Sequence, residues 1–145
     1  MKFYVDGIEK QYAKAKLDWR VDKTFKVPQS SQIIGIECAD FGGEKGIIAS
    51  VEDTYGKTII ITDSSWKCSS SEQTGWTKVD FHMNPKLWSD AEEVATHGSP
   101  PWGKIGKISD EAKWIWVADQ PTRYGKAYCR IRTYDQGEHI THIPV

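Results

Sequence analysis

The chain has 145 residues, enough for one domain with a sizeable core. Its 19 Lys+Arg against 20 Asp+Glu leave a net charge of -1, so it lacks the basic surface that generic nucleic-acid binding requires. No apolar stretch approaches the roughly 20 residues of a membrane span, which argues against membrane insertion.

In chain order, Met1 to Asp6 reads as a strand rather than an apolar signal segment. The protein is therefore cytosolic, or secreted after loss of a signal. Residues 3–7, FYVDG, form a short strand that ends on an Asp-Gly turn. Gln11 to Lys16 has the look of a helical turn, and Asp18 to Val21 returns to an extended pattern. Phe25 and Val27, two apart, share one face of a strand that Pro28 ends.

The segment from Ile33 to Cys68 carries the strongest signal. Its apolar runs IIGIECA, GIIASV and TIIIT are rich in β-branched residues, and Phe41-Gly42-Gly43 and Asp53 to Lys57 are turn signals between them. Ile34, Ile36 and Cys38 share one face, with Ile33, Gly35, Glu37 and Ala39 on the other. Such a strand belongs in the middle of a covered sheet.

Regular patterning lapses from Ser69 to Lys107. Within it, Leu87, Ala91 and Val94 have the spacing of one short helix over Asn84–Ala95, and Gly98-Ser99-Pro100-Pro101-Trp102-Gly103 is a rigid loop presenting an aromatic ring. Two strands follow. In Lys113–Ala118 the tryptophans Trp114 and Trp116 share a face, opposite Ile115 and Val117. In Ala127–Tyr134, Ala127, Cys129 and Ile131 point inward and Tyr128, Arg130, Arg132 and Tyr134 form the opposite stripe. About eight short strands with regularly spaced turns, long loops and one short helix make an all-β, antiparallel jelly-roll β-sandwich. It occupies residues 1–145 as one domain.

The order FYVDG, IIGIECADFGG, ITDSSWKCSS, Gly75-Trp76, Leu87-Trp88-x2-Ala91, SPPWG, AKWIW and AYCR resembles the galactose-binding-domain-like β-sandwiches. These are the discoidin-like and carbohydrate-module jelly rolls, including rhamnosidase accessory modules and lectin-like modules. The resemblance spans nearly the whole chain, and its most specific pieces are D-x-S-W-K-C and the paired WIW and YCR strands. It implies ligand binding on loops at one end of the sandwich, often with a calcium ion (Ca2+) near the chain termini. A complete set of calcium ligands is not matched here, and fold alone does not settle function.

Catalysis is not expected. His82, His97, His139 and His142 lie in no catalytic signature, and G-x-S-x-G, P-loop and H-E-x-x-H motifs are missing. Ser64 and Ser65 beside Asp63 read as turn chemistry. Cys38, Cys68 and Cys129 lack the C-x-x-C spacing of a zinc site. Cys68 and Cys129 end pieces expected to be neighbours and are the candidate disulfide; the alternative is three reduced thiols.

Of the seven Trp and six Tyr, most are assigned to core packing, because large aromatics dominate buried area. Sugar recognition needs a ring for the C–H face and polar groups for vicinal hydroxyls. Trp76 and Trp102 in Gly-containing loops, His97, Arg123, Tyr124 and Asp40 are the candidate sugar contacts. The sequence thus predicts a non-catalytic carbohydrate-binding module or lectin whose partner is a carbohydrate or glycoconjugate. The alternative is a structural or adhesive module that self-associates as a homo-oligomer through an exposed Tyr128/Arg130/Arg132/Tyr134 face, Tyr and Arg being common at protein hot spots.

Overall fold

The structure is a computed structural model and describes residues 1–10, 22–41, 45–118 and 124–133. Its ten named elements are all strands: β1 (Lys2–Val5), β2 (Ile8–Lys10), β3 (Ile33–Phe41), β4 (Ser50–Glu52), β5 (Thr58–Ile61), β6 (Lys67–Ser69), β7 (Ser89–Asp90), β8 (Glu92–Thr96), β9 (Lys113–Trp116) and β10 (Tyr124–Arg132). Every pairing is antiparallel. Among the described residues every named element is a strand, as the β-branched runs predict.

One sheet has six strands in the order β2-β1-β3-β10-β6-β7. Its spine is the β3–β10 pair, matched residue for residue from Phe41↔Tyr124 to Ile33↔Arg132. At its edge, β1 and β2 form a hairpin whose turn residues Asp6 and Gly7 both have positive φ, 48° and 87°. Asp-Gly suits that two-residue turn because its twist matches the strands. The Asp6 carboxylate accepts the Gln32 and Ile33 amides at 2.9 and 2.7 Å, fastening the hairpin to the start of β3.

The opposing layer is built from two strand pairs, β4–β5 and β8–β9. Reciprocal backbone bonds between Ile47 and Ile115, both 2.9 Å, join the two pairs. Thr62, fully buried, strengthens the junction. Its amide donates to the Ala49 carbonyl, its carbonyl accepts the Lys113 amide, and its hydroxyl reaches the Lys113 carbonyl at 2.6 Å.

Period-two alternation sends one face of each layer into a shared core. Phe3 and Val5 of β1, Ile34 and Ile36 of β3, Cys68 of β6, and Ala127, Cys129 and Ile131 of β10 meet Ile47, Ile60 and Ile115. Phe25 and Val27 pack against this core from an extended segment outside the named strands, Phe25 stacking on Phe3 at 4.3 Å. Cys68 and Cys129 are directly opposite in the β6–β10 register and are joined by a disulfide; Cys38 faces Ala127 and keeps its thiol. Trp66 sits between the layers, 1 % exposed, its indole N–H donating to the Ile61 carbonyl at 2.9 Å.

Two expectations change. The short helix over Asn84–Ala95 does not form. A single turn closes on the Asn84 carbonyl, and the chain then extends into β7 and β8. Pairing of Ser89 and Asp90 with β6 and the Ala91 amide bond to the Trp66 carbonyl outweigh a helix too short to nucleate cheaply. In β9, Trp114, Ile115 and Trp116 are all buried, and Trp116 joins the core together with Ile115 and Val117. The second concerns the Tyr128/Arg130 stripe, which is covered rather than exposed: Tyr128 and Arg130 are 5 % and 2 % exposed. Segment 73–88 lies across it, placing Trp76, Trp88 and Phe81 on the outer face of β3–β10. The surface expected to support self-association is therefore interior. Tyr134, the helical turn at residues 11–16 and the strand at 18–21 fall outside the described residues.

Candidate functional site

The site is built on the loop between β8 and β9. His97, directly after β8, has its side chain almost wholly buried. Its Nε2 accepts the Ile105 amide at 2.8 Å and its Nδ1 lies 3.0 Å from the Ser109 carbonyl. An amide can only donate and a carbonyl only accept, so Nδ1 carries the hydrogen. One imidazole thus ties two points of the loop to the end of β8.

Within the loop so held, the Ser99 amide donates to the Thr96 carbonyl, the Gly103 amide donates to the Ser99 carbonyl, and Gly103 turns at φ 66°. Trp102 projects between them, half-buried. Its ring stacks on Trp114 of β9, centroids 4.5 Å apart and planes 18° from parallel. Trp114 is 5 % exposed and lies on Gly46, where a Cβ would come within 2.6 Å of Cε3. Trp114 is thus touched by the Gly46 backbone and stacked by Trp102, whose half-buried ring keeps part of its surface in solvent.

On the same loop the Lys104 ammonium donates to the Asp110 carboxylate at 2.7 Å, both exposed. That bond and the Lys104 charge hold the Asp110 carboxyl below its ordinary value. The Thr96 and Ser99 hydroxyls, 2.7 Å apart, add neutral donors and acceptors on the same loop. The loop carries an aromatic plane and groups able to share hydrogen bonds with a polyhydroxylated ligand. A nucleophile–base pair is not assembled there.

The structure separates the residues expected to act together. Trp102 keeps an accessible ring. His97 supports the loop and has both ring nitrogens occupied, so it is a positioning residue and not a ligand contact. Trp76 is 4 % exposed on the other sheet, between Tyr4, Trp88 and Tyr128. It cannot present its ring to a sugar, because the bare Gly35 of β3 leaves a seat that the indole fills. Asp40 and Tyr124 belong to one end of the β3–β10 pair, through the register Gly125↔Asp40 and Tyr124↔Phe41; their side chains, and Arg123 entirely, lie outside the described residues.

Sequence reasoning missed Trp114, Lys104 and Asp110. The first reads as an ordinary strand residue, and the other two become neighbours only because the loop doubles back. Among the described residues no group of three or more His, Cys, Asp and Glu is placed to hold a metal ion, and no helix is long and apolar enough to cross a membrane. The chain matches no family profile, no curated protein and no solved structure.

Proposed function

We propose that this protein is a non-catalytic carbohydrate-binding domain with a galactose-binding-like jelly-roll sandwich, and that Trp102 is the platform on which the sugar rests. The observation that carries the reading is the Trp102–Trp114 stack, centroids 4.5 Å apart. A loop tryptophan braced by a second, buried ring keeps a fixed plane at little further entropic cost when a ligand arrives, which is the advantage of preorganisation. Lys104, Asp110, Thr96 and Ser99 supply the hydroxyl contacts that a neutral sugar needs.

A glycan array followed by titration calorimetry tests the reading. Binding of at least one neutral glycan is expected, and Trp102→Ala should weaken it by about tenfold or more, equivalent to about 1.4 kcal/mol. Lack of binding to every neutral glycan, with and without calcium, would overturn it. So would binding that Trp102→Ala leaves unchanged.

A further inference from the structure

Arg130 is a buried guanidinium that forms no ion pair with a carboxylate among the described residues. Its residue is 2 % exposed, Nη2 donates to the Lys78 carbonyl at 3.2 Å, and Nη1 is buried with no hydrogen-bond partner. Buried charges are ordinarily paired, because an unpaired one loses its hydration without recompense. The acid next along this face, Glu37, is already flanked by Lys2 and Lys126 at 4.0 and 3.9 Å. Burial, with the neighbouring Arg132 charge second, pushes the Arg130 side chain down to about 10.

Arg132 stands two residues further along β10, on the same face and half-buried. Its Nη2 donates to the next carbonyl of the covering segment, Val79, at 3.1 Å. Two guanidinium groups therefore rise side by side, roughly 7 Å apart at their Cα atoms by strand geometry. Each spends one nitrogen on the cover. Above Arg130 the cover is thin: the Phe81 ring, half-buried, has its centroid 5.2 Å from Cζ, while Lys78, Asp80, His82 and Met83 around it are exposed.

We propose that Arg130 and Arg132 form a binding site for a tetrahedral oxyanion, sulfate or phosphate, which the anion reaches by displacing the Phe81 ring. A tetrahedral ion carries acceptors on several sides and can engage both guanidinium groups, whereas a planar carboxylate is matched by one fork. The chemistry is shared by the free inorganic ion and by a sulfate ester on a saccharide. The site does not rest on the carbohydrate reading, since inorganic sulfate alone suffices and Trp102 lies on the other layer.

Calorimetry with sodium sulfate and sodium phosphate at constant ionic strength tests it. Saturable one-site binding is expected, with Arg132→Gln weakening it by about tenfold or more, as loss of a charge-assisted contact implies. Phe81→Ala, which removes the ring from over the guanidinium, should bind at least as tightly as the parent. Arg130→Met should abolish binding; if that variant does not fold, the other two decide. A sulfated monosaccharide that binds more tightly than inorganic sulfate, and does so in Trp102→Ala as well, identifies an ester as the source. Weaker binding than inorganic sulfate identifies the free ion. Absence of saturable binding by either ion, or binding indifferent to Arg132→Gln, overturns the site.

Discussion

Trp76 and Trp102 begin with the same local description, an indole in a glycine-containing loop, and end in opposite roles. Trp76 is a structural residue sealed against β3 and β10; Trp102 is half-open on the other layer. What separates them is the surface beneath. Under Trp76 lies Gly35, where an added Cβ would come within 3.0 Å of Cζ3, and Tyr4, Trp88 and Tyr128 close in from the sides. Under Trp102 lies another indole, Trp114, which already occupies the seat that Gly46 provides. Each glycine admits one ring, and a second ring stacked upon that one stays closer to solvent. Loop composition is silent on which of the two a tryptophan will be.

The sharpest way to break this contrast is to truncate the inner ring. Trp76→Ala should cost about 3–5 kcal/mol, the range for removing a buried large aromatic, read as a lower urea midpoint. A change below 1 kcal/mol would mean that segment 73–88 is not the cover described above.

The two glycine seats give the next test, at about 1–3 kcal/mol each for an inserted methyl. Gly46→Ala meets Trp114 at 2.6 Å, tighter than Gly35→Ala against Trp76 at 3.0 Å. Trp114, however, is held in place by the stack with the half-open Trp102. The cost of Gly46→Ala should therefore shrink when Trp102→Ala is combined with it, while the cost of Gly35→Ala should not. A double-mutant cycle measures that coupling; additive costs for Gly46 and Trp102 would deny that Trp102 holds Trp114 against Gly46.

His97→Ala strikes the scaffold of the open ring without touching the ring. It removes an acceptor for the Ile105 amide and a donor to the Ser109 carbonyl, a loss of about 1–3 kcal/mol when a buried group is left unpaired. Faster hydrogen exchange at Ile105 should accompany it, with the amides of β3 and β10 unaffected.

The sealed side also carries a pH signature. Burial first, then Glu37, Glu9 and Glu72, raise Tyr4 to about 12 from 10.0, and Tyr128 is raised by burial and the Glu37 and Glu72 charges. Below pH 10 folded and unfolded states both hold these protons. Between about pH 10 and 12 the unfolded state releases them first, so stability falls as pH rises. Tyr4→Phe should flatten that fall, followed by chemical denaturation across the range. An unchanged slope would remove Tyr4 from the account.

Much of the frame was legible from alternation alone. Ile34 and Ile36, and Ala127, Cys129 and Ile131, face the core as their period-two spacing indicates. The Asp63 turn likewise forms, its carboxylate accepting the Ser65 amide at 2.9 Å. What spacing could not reveal is what lies across a polar stripe. Tyr128 and Arg130 alternate with core residues and so read as solvent-facing, but the groups that cover Arg130 come from 52 residues earlier in the chain. The false helix has the same origin: Leu87 and Val94 have helical spacing yet are 41 % and 40 % exposed, because strand pairing claims the chain between them. For the site, Trp102 was legible from its Pro-Pro-Trp-Gly setting, whereas its support by Trp114 depends on a tertiary stack that leaves no local trace.

The smallest expected stability change comes from Trp102→Ala itself. Its ring is half-exposed and its main partner is one stacked indole, a pair worth about 0.5–1.5 kcal/mol beyond area burial. The loop's own hydrogen bonds, through His97, Ser99 and Gly103, do not involve the indole and should persist. Stability should therefore drop far less than in Trp76→Ala, while Trp114 becomes more accessible to a quencher of its fluorescence. If instead Trp102→Ala unfolds the domain as readily as Trp76→Ala, the outer ring is as much a core residue as the inner one. A protein must be able to spare the ring that it offers to a ligand.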